Sequence, residues 1–200
     1  MASPKELVAA VARHTGVAQG TVILHDRNLL VSGYRTEGQR GRGSSNVTFE
    51  DGANLLIAVA GSRNVKDSAA TVARYAELIA SAPLVFDDDG KEVRRGATFG
   101  DAVAALLQAV PADRGQYAAP NDGLVEVSLF GPTPRARIVW KFGGKSAEIT
   151  YTADEDLASA PWLKGGASAS STPYTPTPDL KFIAQFTQVT LGFVGDLIAG

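Results

Sequence analysis

From Lys5 to Asn46 the chain reads KELVAAVARHTGVAQGTVILHDRNLLVSGYRTEGQRGRGSSN, two apolar-periodic stretches meeting at Gly16 and followed by a run of arginine and glycine. No other segment restricts the fold as much. Leu7, Val8 and Val11 recur at helical spacing, and Gly16 offers the positive φ at which a first helix can stop. Two helices cross closely when the first presents a small residue, the turn a glycine and the second a branched apolar residue on its inner side. Ala12, Gly16 and Val22 fill these places in order, with Val11 and Val17 as apolar neighbours.

The second helix is expected over Gln19 to Val31. A helical wheel gathers Val22, Ile23, Leu29 and Leu30 with Asp26 on one face and turns Thr21, Leu24, His25 and Asn28 outward. The outward groups suit base edges: Asn and His bond purines, Thr bonds a base or covers a thymine methyl, and Leu24 can cover the methyl as well. Gln19 and Arg27 join them as candidate DNA contacts. Ser32 and Gly33 then end the helix. Tyr34 to Gly43 has the composition of a β-hairpin wing, with Arg35, Arg40 and Arg42 among Gly38, Gly41 and Gly43, able to approach phosphates or enter a narrow minor groove. A purely structural helical hairpin with a solvated loop is the alternative. Charge favours DNA: residues 1–46 carry six Lys/Arg against three Asp/Glu, a net +3, whereas the remaining residues carry 13 against 18, a net −5.

On the phrase VARHTGVAQGTVILHDRNLLVSGY and the Gly-Arg-Gly that follows, residues 5 to about 60 resemble the winged helix-turn-helix domains of bacterial and phage transcriptional regulators, prophage-type regulators among them. The resemblance covers under a third of the chain. His25 departs from it, being polar where the pattern is apolar, and the first of the usual three helices must be short or be replaced by the helix after the wing. The resemblance implies a recognition helix in the major groove and a wing on phosphate or minor groove. A homodimer would place two such helices on a pseudo-palindromic site.

The absence of cysteine excludes disulfides and thiolate metal sites and fits a reducing cytoplasm, the expected location. No signal-like N-terminus and no apolar run of membrane-spanning length is present, so no membrane partner is expected. No cofactor is expected either. An enzyme finds little support, because both histidines, His14 and His25, lie in the basic segment, and neither a nucleophile elbow nor a metal-spaced His/Asp/Glu cluster occurs.

Beyond the wing, Thr48 and Asp51 form an N-cap signal opening a helix that stops near Gly61. Asp67 or Ser68 caps a further helix expected to reach Ala80, with Val72, Tyr75 or Ala76, and Ile79 as its apolar stripe. Leu84 to Arg94 reads as a hairpin around Asp87-Asp88-Asp89-Gly90; the three aspartates lack the alternating oxygens and distant Glu of a calcium loop and serve better as a polar turn. Thr98 to Val110 is a capped amphipathic helix ended by Pro111. Leu124–Phe130, Arg135–Phe142 and Ala147–Tyr151 alternate apolar with polar residues and predict a three-stranded meander, Val125, Val127 and Leu129 meeting Ile138, Trp140 and Phe142. Gly144-Lys145-Ser146 imitates the end of a P-loop, but position 139 is valine and a strand follows. Residues 164–178 read as a tether, and Asp179 as the cap of a last helix whose Phe182, Ile183, Phe186, Val189, Phe193, Val194 and Leu197 must dock, on the protein's own sheet or on a second copy.

The expected fold is thus α+β: an N-terminal winged helix-turn-helix over 1–62, an α+β body with an antiparallel meander over 63–163, a linker over 164–178 and a C-terminal docking or dimerisation helix over 179–200. The expected function is sequence-specific binding of double-stranded DNA by a transcriptional regulator, the body supplying a dimer or protein-partner surface. The alternatives are a DNA-docking structural adaptor, such as a phage packaging or recombination component, and a pure protein-interaction module.

Overall fold

A computed structural model describes residues 2–37, 46–82, 84–88, 91–112, 123–142, 145–153 and 181–200. The first helix, α1 (Pro4–Thr15), begins on a signal easily overlooked in the sequence: Ser3 and Glu6 form a reciprocal capping box with Pro4 at the first helical position. It ends at Gly16, whose φ of 72° is left-handed. A three-residue turn leads into α2 (Gln19–Val31), and Thr48 and Asp51 cap α3 (Phe49–Gly61) as expected. A short 3-10 turn (Val65–Asp67) precedes α4 (Ser68–Ala76), which stops before the expected Ala80. Leu78 and Ile79 leave the helix because Ile79 and Ala80 are taken up as β1, paired with the end of the meander.

The hairpin β2 (Leu84–Asp88) and β3 (Lys91–Arg95) pairs as a separate two-stranded ribbon, and α5 (Phe99–Ala112) follows. The meander forms as β4 (Gly123–Gly131), β5 (Arg135–Phe142) and β6 (Lys145–Thr152), with Val127 opposite Ile138 and Val125 opposite Trp140. Lys145 and Ser146 open a strand, not the helix that a P-loop needs. The chain returns as β7 (Phe182–Thr187) and ends in α6 (Gln188–Ala199).

The segment from Phe182 to Thr187 corrects one expectation: the last helix starts at Gln188, nine residues after Asp179. Phe182, Ile183, Phe186 and Val189 fit a helical stripe, yet Phe182, Ala184 and Phe186 also alternate with period two. The unpaired side of β4 offers backbone partners along the whole stretch and decides between the two periods. Thr187 then caps α6.

The described strands give one antiparallel five-stranded sheet in the order β1-β6-β5-β4-β7, so the protein is α+β. One sheet face, with Val125, Val127, Leu129, Ala136, Ile138, Tyr151 and Phe186, is buried beneath helices. The other carries Arg137 between Glu126 (3.5 Å) and Glu148 (3.7 Å). Within the helical layer α3 is apolar on almost every side, with Leu55, Leu56, Ile57 and Ala58 all buried, and α1, α2, α5 and α6 surround it. The buried residues form a single cluster from Ala2 to Ile198, and the expected boundary near residue 62 falls inside it.

Candidate nucleic-acid interface

The orientation of α2 decides what the protein can present. Its apolar residues occur nearly all round the helix, so its sequence alone holds no strong rotational preference. In the structure the buried stripe is Val22, His25 and Leu29, turned by less than one residue step from the expected face. Ile23, expected inside, is 41% exposed, and Leu24 is 47% exposed.

His25 is therefore corrected from outer face to interior: its Nδ1 lies 2.8 Å from Ser68 Oγ at the start of α4. Burial pushes its imidazole below its ordinary range. Asn28 is also turned inward, donating through Nδ2 to Val65 O at 2.8 Å. Both side chains tie α2 to the 3-10 turn and α4. Neither faces a groove. The departure noted at His25 has a physical reason, since a polar residue sits at an apolar position because Ser68 meets it.

Arg35 is corrected as well. It does not stand free on a wing; Nε lies 2.9 Å from Asp26 Oδ1, and both side chains are largely buried. The contact is an ion pair rather than an aligned hydrogen bond. Burial raises the Asp26 carboxyl, against the opposing pull of Arg35, and nearby Asp51 adds to the rise. Around this pair the end of α2 and the start of α3 are fastened together. Asp51 accepts from Thr36 N (2.7 Å) and Thr48 N (2.9 Å), and Asn54 donates to Tyr34 O (2.8 Å). One carboxylate thus grips the chain on both sides of residues 38–45. The sequence signalled Asp51 only as a helix cap; its reach to Thr36 and the role of Asn54 have no local signature.

Arg40 and Arg42 lie outside the described residues. The described flanks, Tyr34–Glu37 and Asn46–Thr48, contain no strand. The outward row of α2 is Gln19, Gly20, Ile23, Leu24, Arg27 and Val31, with Thr21 half-buried at its edge. The predicted site residues brought together on one face are accordingly Gln19, Leu24 and Arg27, with Thr21 beside them. Such a row holds an amide for adenine, a guanidinium for guanine or phosphate, and methyl-bearing side chains for thymine. At its start Ala18 cannot cap with a side chain, and Thr21 N donates instead to Ala18 O at 2.8 Å.

Among the described residues no helix is long and apolar enough to cross a membrane, and no group of three His, Asp or Glu side chains could hold a metal ion. No protein-family model matches the chain, and comparisons with curated proteins and with solved structures give no significant match.

Proposed function

We propose that the protein binds double-stranded DNA through α2, as a sequence-specific regulator, with Gln19, Thr21, Leu24 and Arg27 toward base edges and Arg40 and Arg42 on the backbone or in the minor groove. The observation that carries this reading is the outward α2 row together with the fastening of the described segments that flank the Arg/Gly residues: Asp51 holds Thr36 and Thr48, Asn54 holds Tyr34, and Arg35 pairs with Asp26 of α2. A reader of duplex DNA needs this relation, because phosphate contacts outside the groove set the register of a helix inside it. A dimer would present two such helices.

A second reading has its own observation. Ile23, Leu24 and Val31 put three large apolar side chains on the same row, Val31 being 83% exposed, which suits a protein partner. Selection of bound fragments from genomic DNA at low and near-physiological salt separates the readings. Sharp sites that survive the higher salt support the regulator, diffuse recovery lost with salt supports a DNA-docking adaptor, and no recovery at either salt leaves the protein-interaction module.

A further inference from the structure

A cavity of about 340 Å³ opens beside the 3-10 turn, and no α2 residue lines it. Arg63 and Asn64 just before the turn and Asp67 at its end line it, together with Arg74 and Tyr75 of α4 and Phe182 at the start of β7. Two guanidinium groups face one carboxylate, so the lining is net cationic. Among the described residues neither Arg63 nor Arg74 has a carboxylate within ion-pair distance. Both are nonetheless positioned. Arg63 lies over the Phe182 ring, 5.4 Å from its centroid, and Arg74 donates to Pro132 O at 3.4 Å, leaving the rest of its fork for a ligand.

The wall beneath them is held by hydrogen bonds and close packing. Tyr75 donates its hydroxyl to Phe130 O at 2.6 Å, and Asn64 donates to Asp67 at 3.3 Å. The Phe182 ring packs closely on Gly131, where an added Cβ would stand 2.0 Å from its Cε1. The guanidinium of Arg63 on the Phe182 ring makes a flat cationic surface on which a heteroaromatic ring stacks, while a planar fork such as Arg74 matches phosphate oxygens. Asn64 and Asp67 supply a donor and acceptors at the cavity wall for ring or sugar hydrogen bonds. The volume lies at the small end of ligand pockets.

We propose that this cavity binds a phosphate monoester carried on a flat ring, the chemistry of a nucleotide, either free or at the 5′ end of a nucleic-acid strand. The 3-10 turn that lines it also holds α2, since Val65 O receives Asn28 and Ser68 Oγ meets His25. Occupancy thereby adjusts the seating of α2. This last consequence bears on regulation only if α2 reads DNA, whereas the binding itself does not depend on that reading.

The test is titration of the 15N-labelled full chain with adenosine 5′-monophosphate, with inorganic phosphate and adenosine as part-probes. Saturable shifts are expected at the amides of Arg63, Asn64 and Tyr75 and at the Asn28 side-chain amide. Affinity should fall about tenfold or more in Arg63→Gln and in Arg74→Gln. Both arginines are exposed, so the thermal melt reports whether either variant is damaged. No saturable shift up to about 10 mM, or shifts of equal affinity in the double Gln variant, overturns the site. Phosphate alone binding as tightly as the nucleotide overturns the ring component. Shifts in the cavity with an unmoved Asn28 amide overturn the coupling. A 5′-phosphorylated strand that outcompetes the nucleotide, and its 5′-hydroxyl twin, identifies a strand end as the source; the reverse ranking identifies the free nucleotide. DNA binding by α2 is measured in a separate titration, so its failure is distinguishable from failure of the cavity.

Discussion

His25 and Arg27 sit two positions apart on α2 and have opposite fates, one buried against Ser68 and the other in solvent. Burial depresses the folded-state pKa of His25 while the unfolded chain keeps the ordinary value near 6.5. Between the two values the unfolded chain holds more protons, so stability is complete above pH of about 6.5 and falls as pH drops toward the folded value. The melting temperature should decline from about pH 7 to pH 5, and His25→Gln should lower it at neutral pH while flattening that decline. His14 is also depressed, by burial first and by Arg13 second, and it stacks on Phe193 at 4.3 Å. His14→Gln should accordingly remove only part of the slope. At Arg27 the expectation rests on the proposed DNA reading: as a base-edge contact, Arg27→Ala should weaken affinity for the selected site about tenfold and relax base preference there, as read by fluorescence anisotropy against mismatched duplexes, without changing the melt.

At the scale of elements, β7 and the α2–α3 connection carry the strongest expectations. Phe186 is buried beneath the helices on the sheet's edge strand, and Phe186→Ala should cost about 3 kcal/mol in urea unfolding. A loss well under 1 kcal/mol would mean that the segment is not held there as a strand. Asp51 is 3% exposed, its carboxylate accepts from two backbone groups, Thr36 N and Thr48 N, and its own N–H donates to Thr48 Oγ1 in the α3 cap. Asp51→Ala should cost about 2 kcal/mol, and amide exchange should quicken at Thr36 and Thr48 before the rest of the molecule. The capping pair and the strand alternation of the meander were legible because both are local patterns. Residues 182–187 were ambiguous because two periods fit the same letters, and the vacant side of β4, more than fifty residues earlier in the chain, chose one.

Across the described residues the N-terminal helices share a core with α3 to α6 and the five-stranded sheet. α6 packs on α1 and α5, Thr190 donates to His14 O at 3.4 Å, and Gly52 on α3 admits Ile198 so closely that a Cβ there would stand 2.7 Å from its Cδ1. In Gly52→Ala the helix-propensity gain of about 1 kcal/mol opposes the displacement of Ile198 Cδ1, so the substitution should be more favourable in an Ile198→Val background than in the native one, a coupling read from a double-mutant cycle. A fragment comprising residues 1–62 loses the packing of α5 and α6 and should show little cooperative unfolding by circular dichroism; a sharp transition would give the head a core of its own.

The sequence by itself determined where helices and strands begin and end when a cap, a glycine turn or an alternating run marks them: Gly16, Thr48 with Asp51, and the strands from Leu124 to Tyr151. It also determined that basic residues gather at the N-terminal end. Only the tertiary structure decided which side of α2 faces water, that His25, Asn28 and Arg35 are tied inward, and that Phe182–Thr187 extends a sheet. The physical reason is common to all of these: each depends on a partner distant in sequence, Ser68, Val65, Asp26 or β4, and a local pattern cannot say which distant partner will be present.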